Sequence, residues 1–470
     1  MSIPIGSFVS SFFILPVIDT IVLCANNIPD ANKIVKVEYT NFITITLMLL
    51  KIQKYHIRFH LTSKIFLFIR FYVIRKEKYT KFVKLFFEKN IVVMKINVHK
   101  FGGAVLLEAN SIRRMCEFAK NDNSKKVIIV SAIGKTSSNL KKSLLLAESG
   151  SLDKAIDVIN SIFDLHIHIA DDLLNEHQLN CFMKLKEQLY SECLKIVHSV
   201  SITQELSTRV SDKFIAKGED LILTLIKCYF DSEKNIVEVF DSRQVIRTNS
   251  DYGGAKPDYS ATELLIGNCL VPLFALHDTI FLQGFVASDA NENTTTMGFE
   301  SSNLTASIIA KYLNTNEITI WTDVDGIFDC DPKNFQNAAL IHDLSYHTSY
   351  ISAKAGLKLL YPEMIEIANE RNIKIIYRNG NNLTDKFTVI KKESQSKSAL
   401  FVVINNKTAT LIKIINPNKP KIIKFLIENY ASQIQKSSLI IDSGDTEEIM
   451  VLNIKAEADI LTNKLIAGIR

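Results

Sequence analysis

Four short apolar runs, each ending in small or polar residues, constrain the fold of this 470-residue chain more than any other feature. The runs are INVHKFGG from residue 96, KKVIIVSAIG from 125, TIFLQGFVAS from 279 and EITIWTDVDG from 317. A helical pattern follows each of the first two, and repeated strand, loop and helix indicate a parallel sheet in an α/β fold. Ligands of such sheets bind at the carboxyl ends of the strands, so the residues that end these runs mark the expected site.

Composition allows a large globular core, and it argues against a Cys/His metal site and against nucleic-acid binding by the main body. Hydrophobic residues make up 47% of the chain and charged residues 22%. The seven cysteines form no CxxC or Cys/His metal spacing, which is typical of reduced thiols in a cytosolic protein. Residues 1–93 hold 13 Lys and Arg against 5 Asp and Glu, so the net positive charge belongs to this segment. It therefore gives no reason to expect nucleic-acid binding by the main body.

The first 93 residues differ from the rest of the chain. They contain one glycine, Gly6, and are rich in Ile, Phe, Lys, Leu and Tyr. A membrane or targeting segment and an extra domain are both compatible with this composition, although no uncharged apolar span of about 20 residues is present. We favour a third interpretation, in which this segment is upstream AT-rich sequence translated by mistake, or is disordered, and Met94 is the true start.

The glycine pair after the first run suits an anion. Gly102 and Gly103 lack a Cβ atom, so backbone N–H groups can approach a phosphate closely, and Lys100 offers a positive charge. A tight turn beside a surface lysine explains the same residues. The pattern alone therefore leaves both interpretations open.

Three aspartates follow the last run. Asp323, Asp325 and Asp331 lie on one loop after a strand, where clustered carboxylates usually face cations, polar ligands or solvent. Asp-Gly and Asp-Pro also form turns, so a series of turns and helix caps is an equal alternative. His166 and His168 are two residues apart on a predicted helix and point to different faces, so no metal site is expected there.

Taken together, ordered segments of residues 94–378 resemble the aspartate kinases of the amino-acid kinase family. The segments are KFGG, VIIVSAIGKTSSNL, KGEDL, DSRQVIRTNSDYGGAKPD, FLQGFVAS, IWTDVDGIFDCDPKNF and AKAGLKLLYPEMI. The resemblance implies a three-layer α/β catalytic domain over residues 94–390 with a mainly parallel central sheet. It also implies transfer of the ATP γ-phosphoryl group to the β-carboxylate of L-aspartate, with Mg²⁺, as the first step towards lysine, threonine and methionine.

The resemblance also implies roles for individual residues. Lys100 and Lys358 would be catalytic, and Glu219 would hold the substrate ammonium beside Ser302 and Asn303. The residues implied to bind ATP or its phosphates are Gly102, Gly103, Ser131, Thr322, Asp323, Phe328 and Lys333.

One loop departs from the family pattern. The segment TTTMGFESSN stands where the family has Thr-Thr-Leu-Gly-Arg-Gly-Gly-Ser-Asp, so Phe299 replaces the arginine expected to clamp the substrate α-carboxylate. A phenylalanine cannot donate the bidentate hydrogen bonds of a guanidinium. Either another cation compensates, with Arg209 and Arg247 as candidates, or the acceptor differs, or activity is lost.

The C-terminal residues 398–470 resemble a single small α+β ACT-like domain for regulation or dimerisation. The pattern is two strands, a helix, two strands and a last helical piece. We therefore expect a cytoplasmic homodimer that acts on ATP and aspartate and binds neither membrane nor nucleic acid. The alternatives are an amino-acid kinase with another acceptor and a non-catalytic effector-binding homologue.

Overall fold

The computed structural model describes residues 12–17, 20–25, 35–38, 95–122, 124–231, 236–335, 337–357, 359–382, 384–394, 400–405, 409–415, 438–442 and 448–454. The chain divides into two compact units, Met1–Asn90 and Ile91–Arg470. In the first, β1 (Phe12–Val17), β2 (Thr20–Ala25) and β3 (Val35–Glu38) form an antiparallel sheet in chain order. The prediction that residues 1–93 are mistranslated or disordered remains untested.

The second unit is built on one eight-stranded sheet. Its strands are β4 (Ile96–Phe101), β5 (Lys125–Val130), β6 (Val237–Val239), β7 (Thr279–Gln283), β10 (Glu317–Thr322), β11 (Asp343–Ser345), β12 (Lys374–Asn379) and β13 (Phe387–Lys391). The order across the sheet is β11-β13-β12-β10-β4-β5-β7-β6. Every neighbouring pair is parallel except β12 with β13. The predicted mainly parallel sheet is therefore confirmed. Two further strands, β8 (Val286–Ser288) and β9 (Thr294–Thr296), pair by themselves.

Helices cover both faces of this sheet. They are α1 (Ala109–Asn121), α2 (Thr136–Glu148), α3 (Leu152–Leu173), α4 (Glu176–Thr203), α5 (Thr208–Ile215), α6 (Lys217–Tyr229), α7 (Tyr259–Leu265), α8 (Ser302–Tyr312), α9 (Tyr346–Ala355) and α10 (Pro362–Arg371). Alternate residues of β5 point to opposite faces. Val127 and Ile129 pack in a core with α8 and α10, whereas Ile128 and Val130 pack in a core with α1 and α6. The fold is thus three-layered, as the resemblance implied.

The chain between β5 and β6 is helical from α2 to α6. A capping box starts α4, where Asn175 and Gln178 each bond the other's backbone N–H through their side chains. These helices share a third core of their own. On α3, His166 is buried and bonded to the carbonyl of Ile162, whereas His168 is exposed. No helix in the described part of the chain is long and apolar enough to cross a membrane.

Four strands near the C-terminus form a separate antiparallel sheet. They are β14 (Leu400–Asn405), β15 (Ala409–Ile415), β16 (Ser438–Asp442) and β17 (Glu448–Ile454), in the order β14-β15-β17-β16. All four were predicted from the sequence. The helices expected at residues 420–435 and 459–469 lie outside the described residues. The ACT-like assignment therefore remains a prediction.

Candidate active site

A cleft of about 280 Å³ opens at the carboxyl ends of β4, β5 and β10. Nine of the site residues named from the sequence line it: Lys100, Gly102, Gly103, Ser131, Glu219, Ser302, Asn303, Thr322 and Asp323. Phe328 and Lys333 are not among its lining residues, and Lys358 lies outside the described residues. Segments more than two hundred residues apart in sequence therefore meet at one edge of the sheet.

Strand register explains why these loops meet. In the parallel ladders, Lys100 lies opposite Ile129 of β5 and Ile320 of β10. Backbone bonds continue this pairing into the loops: Gly102 N–H donates to the Trp321 carbonyl at 3.1 Å, and Ser131 N–H donates to the Phe101 carbonyl at 3.2 Å. The loops that follow β4, β5 and β10 are therefore held to one another by these backbone hydrogen bonds. The loop after β10, which carries Asp323, Asp325 and Asp331, is called the aspartate loop.

Gly103 is the position in this loop that tolerates no side chain. A Cβ atom added there would lie 2.3 Å from the carbonyl oxygen of Ala132, a clash with backbone. Gly134 N–H donates to the Gly103 carbonyl at 3.0 Å, and Gly134 itself has φ of +55°. The two loops therefore pack backbone against backbone, and only glycine permits this approach.

Helix α8 brings its amino-terminal end to the same cleft. Gly284, just after β7, leaves room for Ser302, whose Cβ atom would lie 2.4 Å from a Cβ at Gly284. Asn303 is buried, and its Oδ1 atom accepts no hydrogen bond from the described residues. The positive end of the helix dipole and the polar side chains thus both face the cavity, an arrangement suited to an anionic ligand.

Lys100 and Glu219 are two titratable groups of the cleft with strongly shifted pKa values. Burial lowers the pKa of Lys100 to about 8, while the nearby carboxylates of Glu300 and Glu219 oppose this shift. Burial raises the pKa of Glu219 to about 8. Its Oε1 accepts the N–H of Ala132 at 3.1 Å and lies 3.5 Å from the hydroxyl of Ser137. Its buried Oε2 has no hydrogen-bond partner among the described residues, so it can accept a donor from a ligand.

The three carboxylates of the aspartate loop have different surroundings. Two accept hydrogen bonds from other groups of the protein, and one lines the cleft. Asp331 accepts the backbone N–H of Lys333 at 2.9 Å, and Asp325 accepts the amide of Asn379 at 2.9 Å, so both stabilise the loop itself. Asp323 lines the cleft, and the Lys333 ammonium lies 3.4 Å from its Oδ2. Lys333 therefore contacts Asp323, which lines the cleft, but does not line the cleft itself.

The loop that departs from the family pattern lies at the mouth of the cleft. Phe299 and Glu300 both line it, and the Phe299 ring is half exposed. Neither arginine considered as a replacement lines the cleft. The Arg209 guanidinium bonds Asn293, and that of Arg247 bonds Ser288 and the Asp289 carbonyl.

Sequence reasoning did not identify every residue that shapes this site. Glu300 stands in the divergent loop where the family has a glycine, and its charge acts on Lys100. Ser137 and the backbone of Ala132 support Glu219 from another loop. Tyr377 lines the floor of the cleft from β12. The segment VSAIGKTSSNL was the available signal for Ala132 and Ser137, whereas nothing near Tyr377 in sequence marks it.

The comparisons with known proteins agree with this geometry. A model of the amino acid kinase family matches residues 95–379. A bifunctional aspartokinase/homoserine dehydrogenase of Zea mays is 27% identical over 320 residues, which are 68% of this chain and 34% of that protein. The lysine-sensitive aspartokinase 3 of Escherichia coli is 24% identical over 357 residues, 76% of this chain and 77% of that protein. The chain thus spans about a third of the plant relatives' length.

A solved structure shares the fold. The E. coli aspartokinase III in complex with aspartate and ADP superimposes with a TM-score of 0.61 at 21% identity. The match covers 80% of this chain and 83% of that chain.

Proposed function

This chain belongs to the amino acid kinase family, and from that premise we propose that it is an ATP-dependent aspartate kinase. The observation that carries the proposal is the meeting of Lys100, Glu219 and Asp323 in one cleft lined by glycine loops and the start of α8. The curated relatives support it, because they are aspartokinases or carry an aspartokinase half. The product would be 4-phospho-L-aspartate.

The proposed reaction moves a phosphoryl group between two anions, so the protein must position them and offset their charge. Lys100 is enclosed in the cleft, where its ammonium acts in a lower dielectric than water. With a pKa of about 8 it is mostly charged at neutral pH, and a bound phosphate stabilises that form. We assign Lys100 to the transferred phosphoryl group. The loops of Gly102, Gly103 and Ser131 surround it.

Glu219 is the acceptor-binding residue. Its unpartnered Oε2 would accept a hydrogen bond from the α-ammonium of aspartate, and the positive charge would hold Glu219 ionised. Ser302 and Asn303 would border the acceptor from the start of α8. Binding of the ammonium would then direct the β-carboxylate towards Lys100.

The nucleotide end of the cleft is formed by β10. Thr322 and Asp323 follow that strand, and the carboxylate of Asp323 is one-third exposed. Mg²⁺ prefers phosphate, water and one or two carboxylates, so Asp323 is a fitting ligand for it or for one of its waters. When bound, Mg²⁺ would neutralise charge on the transferring phosphates. By the resemblance, Phe328 and Lys333 remain assigned to ATP, and Lys358 remains assigned to catalysis at the nucleotide's phosphates.

The direct test is formation of acyl phosphate by the full-length chain. ATP-dependent product from L-aspartate would be trapped as the hydroxamate, with Lys100→Met as the inactive control. Turnover in the wild type and its loss in the variant support the proposal. A folded wild type that binds ATP and makes no acyl phosphate from aspartate refutes it.

A second candidate keeps the kinase chemistry and changes the acceptor. Phe299 and Glu300 favour it, because this mouth of the cleft offers an apolar ring and a negative charge where the resemblance implies an arginine. Screening other amino acids in the same hydroxamate assay tests it. A higher kcat/KM for another amino acid would identify that amino acid, rather than aspartate, as the acceptor. Nucleotide binding without turnover on any acceptor would instead indicate a binding protein.

The remaining assignments rest on the sequence. We propose a homodimer and a cytoplasmic location, the latter because the scattered cysteines form no CxxC or Cys/His spacing, which is typical of a reducing compartment.

A further inference from the structure

The described part of the cleft wall offers no cation for one group of the proposed acceptor. Aspartate carries an α-carboxylate, an α-ammonium and a β-carboxylate. Lys100 and Glu219 account for the β-carboxylate and the ammonium. Among the described residues that line the cleft, Lys100 is the only basic one, and Glu300 adds a negative charge. Among the described residues, a positive group for the α-carboxylate must therefore come from beyond the cleft wall.

Lys141 is the basic side chain placed to supply it. Its Nζ lies 5.4 Å from the centroid of the Phe299 ring, at the position where the family arginine is missing. The residue is exposed, and no ion pair or hydrogen bond of its ammonium is found in the described part of the chain. The charge is thus available to a ligand.

Helix geometry aims Lys141 at the cleft. On α2, residues three and four positions apart share a face, so Lys141 lies above Ser137 and Ser138. Both serines line the cleft, and Ser137 lies beside Glu219. Lys142 is rotated by about 100° from this face, as the 3.6-residue period requires.

The Phe299 ring provides a support for the lysine. A cation over an aromatic face is attracted by the ring's quadrupole. The ring is held in turn by Phe285, whose centroid lies 6.0 Å away. Phe299 stands where the family has an arginine, and its ring holds the ammonium of Lys141 from α2 nearby. The mouth of the cleft therefore keeps a positive charge.

We propose that Lys141, supported by Phe299, binds the α-carboxylate of the acceptor and is a specificity-determining residue of this kinase. The inference rests on the proposed aspartate kinase activity. The lysine ammonium is a single point charge, whereas the planar guanidinium of an arginine donates two parallel hydrogen bonds to a carboxylate. Lys141 would therefore favour a negatively charged acceptor while fixing its orientation less strictly than an arginine.

The test compares Lys141→Met with the wild type on two acceptors, L-aspartate and its α-amide, which keeps the β-carboxylate and the ammonium. We expect a loss of about 10- to 100-fold in kcat/KM for aspartate, mostly through KM, because a charged hydrogen bond is removed. The α-amide should show almost no loss. Lys142→Met is the matched control and should behave as the wild type. Lys141→Arg should retain activity, and Phe299→Arg should restore aspartate use to Lys141→Met.

The outcomes separate the two claims. A wild type without turnover on aspartate overturns the aspartate assignment and this inference together. An active wild type whose Lys141→Met variant keeps its kcat/KM for aspartate overturns the inference alone. Equal losses on aspartate and the α-amide also overturn it, because they indicate a structural role for Lys141.

Discussion

Replacement of Glu219 by glutamine should change how stability depends on pH. Burial raises the pKa of this carboxyl from 4.5 to about 8 in the folded chain without ligand. Between these values the folded state holds a proton that the unfolded state has released. Stability must therefore fall as the pH rises through this window.

The size of this effect follows from the two pKa values. With 4.5 in the unfolded state and about 8 in the folded state, linkage predicts that the free energy of unfolding falls by roughly 2 to 3 kcal/mol from pH 5 to pH 7. Lys100 contributes little in this range. Its pKa of about 8 leaves it charged in both states below pH 7.

Urea unfolding at pH 5, 6 and 7 without ligands measures the effect. The difference in free energy of unfolding between wild type and Glu219→Gln should change by roughly 2 to 3 kcal/mol across the range, since other titrations cancel in the comparison. Glu205→Gln removes an exposed carboxylate and serves as the control for the charge change. Parallel pH profiles for wild type and Glu219→Gln would refute the reasoning.

Three further predictions follow from the site. Gly103→Ala should abolish turnover and lower the melting temperature, because its Cβ would clash with the Ala132 carbonyl; Gly254→Ala, with open space around the new atom, is the control. Aspartate binding at pH 7 should release about 0.9 proton from Glu219, given its pKa of about 8. Calorimetry in two buffers of different ionisation enthalpy would show this, and equal heats would contradict it. Arg243→Met should destabilise the fold by roughly 1 to 3 kcal/mol, because Asp241 loses its paired cation and Asp220 keeps the Lys217 ammonium, 3.6 Å away; an unchanged urea midpoint would exclude this.

Local patterns were enough to place the strand ends but not every side chain that meets there. The apolar runs predicted β4, β5, β7 and β10, because each is short, rich in β-branched or aromatic residues and ends in small or polar ones. Lys100 and Asp323 therefore fell in the cleft as expected. TIFLQGFVAS was interpreted as one strand, yet the chain turns after Gln283, and Phe285 adopts φ of +66°.

The contacts that sequence could not give are those between distant elements. Asp331 turned out to bond its own loop, which the sequence had left open between turn and ligand. Lys141 stood in a helix with no local sign of function, and only the position of Phe299 gives it one. The roles of such residues depend on packing between elements, and packing is not encoded in spacing along the chain.

The position of β4 within the sheet has a consequence for synthesis of the chain. This strand leaves the ribosome before all the others of its sheet, yet it lies between β5 and β10. Its partner β10 is translated more than two hundred residues later. At about 5 to 20 residues per second, one edge of β4 waits for ten seconds or more. During that time an apolar strand keeps unpaired N–H and C=O groups, the feature that promotes aggregation. On the proposed assignment of Thr322 and Asp323, nucleotide affinity would appear only after β10 docks, so it would serve as a signal for the completed domain on the ribosome.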